Sequence, residues 1–282
     1  MAVVFEQPRH KSIMGEDLAN SGAVSLVKNQ PYWMIISIIT ATYNSANTVR
    51  DTLESVKNQS YPHIEHVIID GASKDNTLKI VAEYPSVSQV ISEPDKGIYD
   101  AKNKGIQLVS GDIIGILNSD DFYNHPDVIA NIAQCFQDHP DIEAVYADLV
   151  FVNEKDTSQI KRTWIAGKYK KKNFLFGWMP PHPTFFVKKE VYEQYGVFNT
   201  QLKSAADYEL MLRFLYKHDI QVAYLPDIII RMRIGGQSTA SLKNRLQANK
   251  EDRAAWHINH LQPKFYTTYL KPLRKLNQFF IK

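Results

Sequence analysis

The pattern of the chain sharpens at MIISIITATY, residues 34–43, a continuous apolar run rich in β-branched side chains. Such a run marks a strand covered on both faces. NSANTVRDTLESVKNQ follows with helical spacing, Val49, Leu53 and Val56 sharing one face and Ser45 or Asn47 placed to cap it. The alternation continues: HIEHVIIDGAS as strand, KDNTLKIVAEY as helix, VSQVIS as strand, GIYDAKNKGIQLV as helix and GDIIGILNSDD as strand. PDVIANIAQCFQDH then reads as helix, with Pro126 suited to its first turn, and IEAVYADLVFV as strand. Strand and helix in strict alternation predict an α/β fold, a mostly parallel central sheet flanked by helices. Residues 1–32 show no such periodicity and are read as an N-terminal extension.

The second half is less regular. A basic stretch, residues 161–189, precedes a helical AADYELMLRFLYKH. There Tyr208, Met211, Leu212 and Leu215 make the apolar face and Glu209 is expected in solvent. QVAYLPDIIIRMRI reads as two short strands around Pro226, and GGQSTAS as a loop beside Arg233 that is either a lid closing over the donor or a simple connection. LKNRLQANKEDRAAWHINHL is helical, and a basic aromatic tail ends the sequence. No linker separates the halves. One merged domain is expected, with residues 33–152 and 153–262 as its two halves and 263–282 as the tail.

Ligands of parallel α/β sheets sit beyond the carboxyl ends of the strands. Three of these ends carry polar clusters: Thr40 to Asn44, Asp70 to Asp75, and Asn118 to Asp121. The last stands in GILNSDDFY, where an apolar strand stops at two adjacent carboxylates. These either cap the next helix or hold a cation such as Mg²⁺ or Mn²⁺, which suits a few oxygen ligands shared with phosphate. Asp70 either forms a turn before Gly71 or accepts a hydrogen bond from a base or ribose. No GxGxxG and no GxxxxGK[ST] occurs in the chain, so a glycine loop is not what holds phosphate here.

Composition narrows the classes. The 282 residues are 44% hydrophobic and 22% charged, with a net charge of +3, too mild to indicate a nucleic-acid partner. Cys135 is the single cysteine and sits in an amphipathic helical pattern, which makes it a packing residue in a reducing compartment. No apolar run is long enough to span a bilayer, and the expectation is a cytoplasmic protein in peripheral contact with a membrane. The basic aromatic tail and the lysines at 170–172 are either that contact or a strap and a solvated surface.

The segments SIITATYNSANTVRDTLESVKNQSYPHIEHVIIDGASKDNT and EPDKGIYDAKNKGIQLVSGDIIGILNSDDFY resemble the family 2 glycosyltransferases of GT-A fold, a Rossmann-like fold for nucleotide-diphosphate sugars. PPHPTFFVKKEVYEQYGVFN and SAADYELMLRF resemble the acceptor half of bacterial members that build surface polysaccharides. The resemblance implies inverting transfer of a monosaccharide from a UDP- or GDP-type donor to an acceptor hydroxyl, on a saccharide or a lipid-linked oligosaccharide at the inner membrane face. It implies that Thr40, Tyr43 and Asn44 wall the nucleotide pocket and Asp70 contacts the base. Asp95, Lys96, Asn118 and Ser119 then lie by the nucleotide or sugar, with Asp100 and Asn103 on a nearby helix face. It makes Asp120 the ligand of Mn²⁺ or Mg²⁺, with Asp121 beside it, and Asp207 the general base. Asn118 stands where many relatives have the first acid of a D-x-D element, and Ala206 where they have an acid before the base. His182 is a candidate for contact with acceptor, diphosphate or metal, and Trp178 and Phe185 for stacking on a sugar. A sugar nucleotidyltransferase lacks its glycine-rich loop here. A catalytically silent sugar- or nucleotide-binding protein is kept as an alternative by Asn118 and Ala206.

Overall fold

A computed structural model describes residues 3–6, 33–235, 242–274 and 278. Its strands are β1 (Val3–Glu6), β2 (Ile36–Thr42), β3 (Ile64–Asp70), β4 (Gln89–Ser92), β5 (Ile113–Ile116), β6 (Phe122–Tyr123), β7 (Ala144–Val152), β8 (Ile160–Trp164), β9 (Phe186–Lys188) and β10 (Val222–Arg233). They form one sheet in the order β1-β4-β3-β2-β5-β9-β7-β10-β6, with β8 paired to β7. Strands β4, β3, β2 and β5 run parallel, as do β7 and β10. Strand β9 is antiparallel to both β5 and β7, so all six of those strands point the same way. The mostly parallel α/β sheet expected from the alternation is therefore present, with antiparallel strands added at its edges and centre.

Helices α1 (Val49–Lys57), α2 (Thr77–Val81), α3 (Ile98–Leu108) and α4 (Val128–Asp138) make the crossovers of the first half. Strand β2 is buried along its whole length, as its unbroken apolar run requires. Helix α3 lies close against it at Gly105, where a Cβ would come within 2.4 Å of Ile39. Only glycine permits that approach, and the approach fixes how far α3 stands above the strand ends. Helix α4 starts at Val128 behind Asp127, so Pro126 precedes the helix, and its carbonyl accepts a bond from the Ser60 N–H at 2.8 Å.

The second half adds α5 (Lys189–Tyr195), α6 (Ala206–Met211), a π turn over Leu212–Lys217, α7 (Leu242–Ile258) and α8 (Thr267–Arg274). QVAYLPDIIIRMRI is one strand, β10, instead of two. Its register with β7 shifts between Tyr224 and Ile228, where Pro226 has no N–H to give the ladder. Glu209, expected in solvent, is 2% exposed. It takes the Arg213 guanidinium on both oxygens at 3.0 Å and the Asn259 amide at 3.0 Å. Arg213 in turn donates to the carbonyls of Gly196 and Val197, clamping the end of α5 to α6. Helical periodicity misplaced Glu209 because α7 covers the face it occupies. Trp178 and Phe185 are core residues and not sugar platforms: both are buried, and the Trp178 indole donates to the Ala166 carbonyl at 2.9 Å.

Two outcomes are expected. Replacing Glu209 by Ala strands the Arg213 charge and lowers the urea-unfolding free energy by about 3–5 kcal/mol. His66 is buried beside Thr40 at 3.0 Å, and burial pulls its pKa from 6.5 to about 3. The unfolded chain then binds the extra proton, and stability falls as the pH drops through that window, by about 1.4 kcal/mol per unit. Unfolding series at several pH values should show that slope in the parent and lose it in His66→Gln.

Candidate functional site

The carboxyl ends of β2, β3 and β5 are tied to one another. The Gly71 N–H donates to the Thr42 carbonyl at 2.9 Å, and the hydroxyls of Ser45 and Ser119 meet at 2.9 Å. Asn44 adopts a left-handed backbone (φ 50°), accepts from the Lys74 N–H and gives its own N–H to Ser73. Asp70 is fully buried and accepts from the Ser73 N–H, the Ser73 hydroxyl and the Ser92 hydroxyl. Its first task is thus to shape the turn after β3. Tyr43 is exposed and Gly71 bare between it and Asp95: a Cβ on Gly71 would sit 2.4 Å from the Asp95 carboxylate and 3.3 Å from the Tyr43 ring. Asp95 receives the Gly97 N–H, and Lys96 is exposed beside it with its own N–H on Asp100. Tyr43, Asn44, Asp95 and Lys96 therefore border one rim. Thr40 does not reach that rim. It is buried two residues below the strand end, on His66.

The turn Asn118–Asp121 answers the question raised by its two acids. Asp121 caps nothing: the residue ahead of α4 is Asp127, and Asp121 is fully buried. Its carboxylate takes the Asn118 amide at 2.8 Å and the Arg233 N–H at 3.2 Å. Burial and the neighbouring Asp120 both push its pKa up. Asn118 thus supplies a donor where an acid would add a third repelling charge. Asp120 is half-buried. Among the described residues no other residue donates a hydrogen bond to its carboxylate, and burial raises its pKa against the pull of Arg233 and Lys102.

Arg233, expected beside a lid, is instead part of the fixed frame. It ends β10, is 6% exposed, and grips the Asp120 carbonyl, the Asp51 carboxylate of α1 and the face of Phe122. Residues 236–241 of the expected lid lie outside the described residues.

Lys102 is the residue that sequence reasoning passed over. It is 4% exposed, with Tyr99 and Phe198 rings 5.6 and 5.8 Å from its ammonium. Burial lowers its pKa to about 8, opposed by the charges of Asp207, Asp121 and Asp120. Asp207 of α6 and the two acids beyond β5 are thus each near enough to pull on this one ammonium. The signal was present in the sequence: Lys102 falls on the same stripe of α3 as Ala101, Gly105 and Ile106, where a charge is out of place. Asp207 stands in the first turn of α6 and receives the Tyr99 hydroxyl at 3.4 Å. Glu251 of α7 accepts the N–H groups of Ser204 and Ala205 at 2.7 and 3.1 Å, so a distant carboxylate fixes the entry to α6 that Ala206 does not. His182 is half-buried, edge-on to Phe198 at 5.6 Å, and close enough to feel both Lys102 and Asp207. Burial takes its pKa down to about 3, so it is a neutral imidazole. Asn103 exchanges two hydrogen bonds of 2.9 Å with the backbone of Phe198, which makes it a brace between the halves.

Among the described residues no group of three or more His, Cys, Asp or Glu could hold a metal ion by itself. Asp120 nevertheless fits a divalent cation of the kind that takes one or two carboxylates and completes its shell with water and phosphate oxygens. It is a partly buried acid with oxygens to spare, next to a second acid whose oxygens are already engaged.

A profile described as Glycosyl transferase family 2 matches residues 37–196. An uncharacterized glycosyltransferase of Mycobacterium tuberculosis is 30% identical over 186 residues, covering 63% of this chain and 68% of that protein. A PGL/p-HBAD biosynthesis glycosyltransferase of Mycobacterium bovis is 25% identical over 199 residues, 69% of this chain and 75% of the relative. Among solved structures, S. aureus TarS 1–349 in complex with UDP-GlcNAc superposes with a TM-score of 0.63 at 18% identity, covering 88% of this chain and 73% of that one. A mannosyltransferase from Pyrobaculum calidifontis, in complex with GDP-Man and Mn²⁺, gives 0.61 at 18% identity, covering 87% and 70%. The fold is thus that of the GT-A glycosyltransferases.

Replacing Lys102 by Met removes the cation shared by the three acids. Calorimetric titration with a nucleoside diphosphate should then show affinity lowered about tenfold to a hundredfold, the worth of one charge-assisted hydrogen bond. Unchanged affinity would place Lys102 outside the phosphate site.

Proposed function

The chain belongs to glycosyl transferase family 2, and from that premise we propose that it inverts the anomeric centre while moving one monosaccharide to the hydroxyl of a lipid-linked saccharide in surface-polysaccharide synthesis. The coarser statement, transfer of a sugar from a nucleotide-sugar donor, follows from the family. The finer one is supported by Asp207, which takes the Tyr99 hydroxyl at 3.4 Å beside the Lys102 ammonium, itself near enough to feel Asp120 and Asp121, so that residues of both halves come to one place. Residues 33–152 are the donor half in this reading and residues 153–262 the acceptor half.

The nucleotide lies along the rim of Tyr43, Asn44, Asp95 and Lys96, with the Asp70 turn beneath it and Asn118 and Ser119 toward the sugar. The donor is of uridine or guanosine type, as in the two solved relatives, which hold UDP-GlcNAc and GDP-Man. Asp207 takes the proton of the acceptor hydroxyl. That oxygen attacks the anomeric carbon from the face opposite the diphosphate, the carbon–oxygen bond to phosphate breaks, and its electron pair leaves with the diphosphate. Lys102 faces the departing charge from the buried side. Asp120, with Asp121 and Asn118 behind it, is where Mn²⁺ or Mg²⁺ would be held, and when bound the ion supplies positive charge next to the diphosphate. His182, uncharged, serves as a hydrogen-bonding wall on the acceptor side.

A panel of radiolabelled nucleotide sugars tests this. Turnover should be supported by one donor, and Asp207→Asn should lower kcat by about a hundredfold to ten-thousandfold with little change in donor KM. Asp120→Ala should weaken both donor binding and the response to added Mn²⁺. Full turnover in Asp207→Asn assigns the base elsewhere, and tight donor binding with no turnover in the parent favours a silent binding protein.

A further inference from the structure

Two stretches of this chain contain no acidic residue, 157–189 and 253–274. They are far apart in sequence and packed together in the fold. The Thr267 hydroxyl of α8 donates to the Leu175 carbonyl at 2.7 Å, and the Tyr266 ring stacks on Phe176 at 5.7 Å. The backbone of α8 passes so near Gly177 that a Cβ there would lie 2.4 Å from the Lys271 nitrogen. The seam is therefore a built contact, held by shape and hydrogen bonding.

What the seam presents outward is unusual for a protein surface. Phe265 is 80% exposed, Tyr269 68%, Phe176 43% and Ile258 39%. Lys172, Lys264 and Arg274 are exposed on the same two stretches, which contribute no carboxylate to offset them. Lys171 is partly offset, by Asp219 at 3.3 Å. The inward side of α8 is spent differently: Lys271 pairs with buried Asp252 at 2.6 Å and lies over the Tyr208 ring at 3.8 Å. The basic and aromatic character outside is thus surplus to what the fold consumes. Aromatic side chains that enter the headgroup boundary, flanked by cations and free of acids, match an anionic lipid surface in both polarity and charge.

We propose that the seam of α8 with residues 171–177 docks this protein on an anionic lipid bilayer. Tyr208, against which Lys271 packs, is the neighbour of Asp207, so docking turns the acceptor side of the site toward the membrane. That consequence rests on the proposed function, while the docking itself does not.

The test is flotation of the full chain with phosphatidylcholine vesicles and with vesicles that also contain phosphatidylglycerol. Binding is expected only with the anionic vesicles and is lost as salt is added. The Phe265→Ser/Tyr269→Ser variant and the Lys172→Glu/Lys264→Glu variant should each weaken binding, the second by at least about fivefold in partition coefficient for every basic residue removed. Both should keep the parent's release of sugar from its donor in solution. Equal binding to neutral vesicles, or equal binding by both variants, overturns the proposal. Docking that persists in a protein without sugar transfer sinks the catalytic reading alone, and transfer without docking sinks this one alone.

Discussion

Buried negative charge is the constraint around which this structure is organised. Asp120 and Asp121 are neighbours in the turn beyond β5, and Lys102 lies near enough to feel both of them and Asp207 of α6. Taking carboxylates out of water is costly unless each has partners. The fold supplies these in three forms. Asn118 offers an amide in place of another acid, Arg233 offers a backbone N–H to Asp121 and a guanidinium to the neighbouring carbonyl, and Lys102 offers a nearby buried ammonium. The site is compensated enough to fold and still leaves Asp120 without a hydrogen-bond donor from another of the described residues.

Those compensations come from distant parts of the chain, and this decides what was legible in the sequence. Strands β2, β3 and β5 announce themselves because a strand buried on both faces must be apolar throughout, and their polar ends follow directly. The helices of the first half are equally plain, since one face of each is covered by the sheet. Strands β6 and β9, of two and three residues, leave no periodic trace. They exist because β10 and β7 offer unpaired edges to them. Glu209 could not be placed correctly because its burial depends on α7, and Arg233 was read as a lid residue because GGQSTAS follows it. Its actual role depends on β10 lying beside the β5 turn. Lys102 is the instructive omission: the stripe pattern contained it, but a lysine next to Asn103 and Lys104 reads as one more surface charge.

The second half is braced most heavily around the start of α6. Glu251 holds the entry to α6, Trp256 donates to the Tyr208 hydroxyl at 2.9 Å, and Asn103 holds Phe198 from the opposite side. Each brace ends within a residue or two of Asp207 or against the rings around Lys102. Positioning of this kind is what the proposed base role of Asp207 would need, since a general base must meet its hydroxyl within hydrogen-bond reach. It also explains why the start of α6 tolerates alanine at position 206.

The central placement of β9 has a consequence for how the polypeptide is made. Strands β4, β3, β2 and β5 can assemble as soon as residue 116 has emerged, since their order needs nothing later. The next strand across is not the next in sequence: β9, residues 186–188, must wedge between β5 and β7 before the sheet can continue. During translation the nascent first half therefore waits with the hydrogen-bonding edge of β5 bare while some seventy further residues are added, a span counted from the end of β5 to the start of β9. Chaperone demand in vivo should concentrate in that interval.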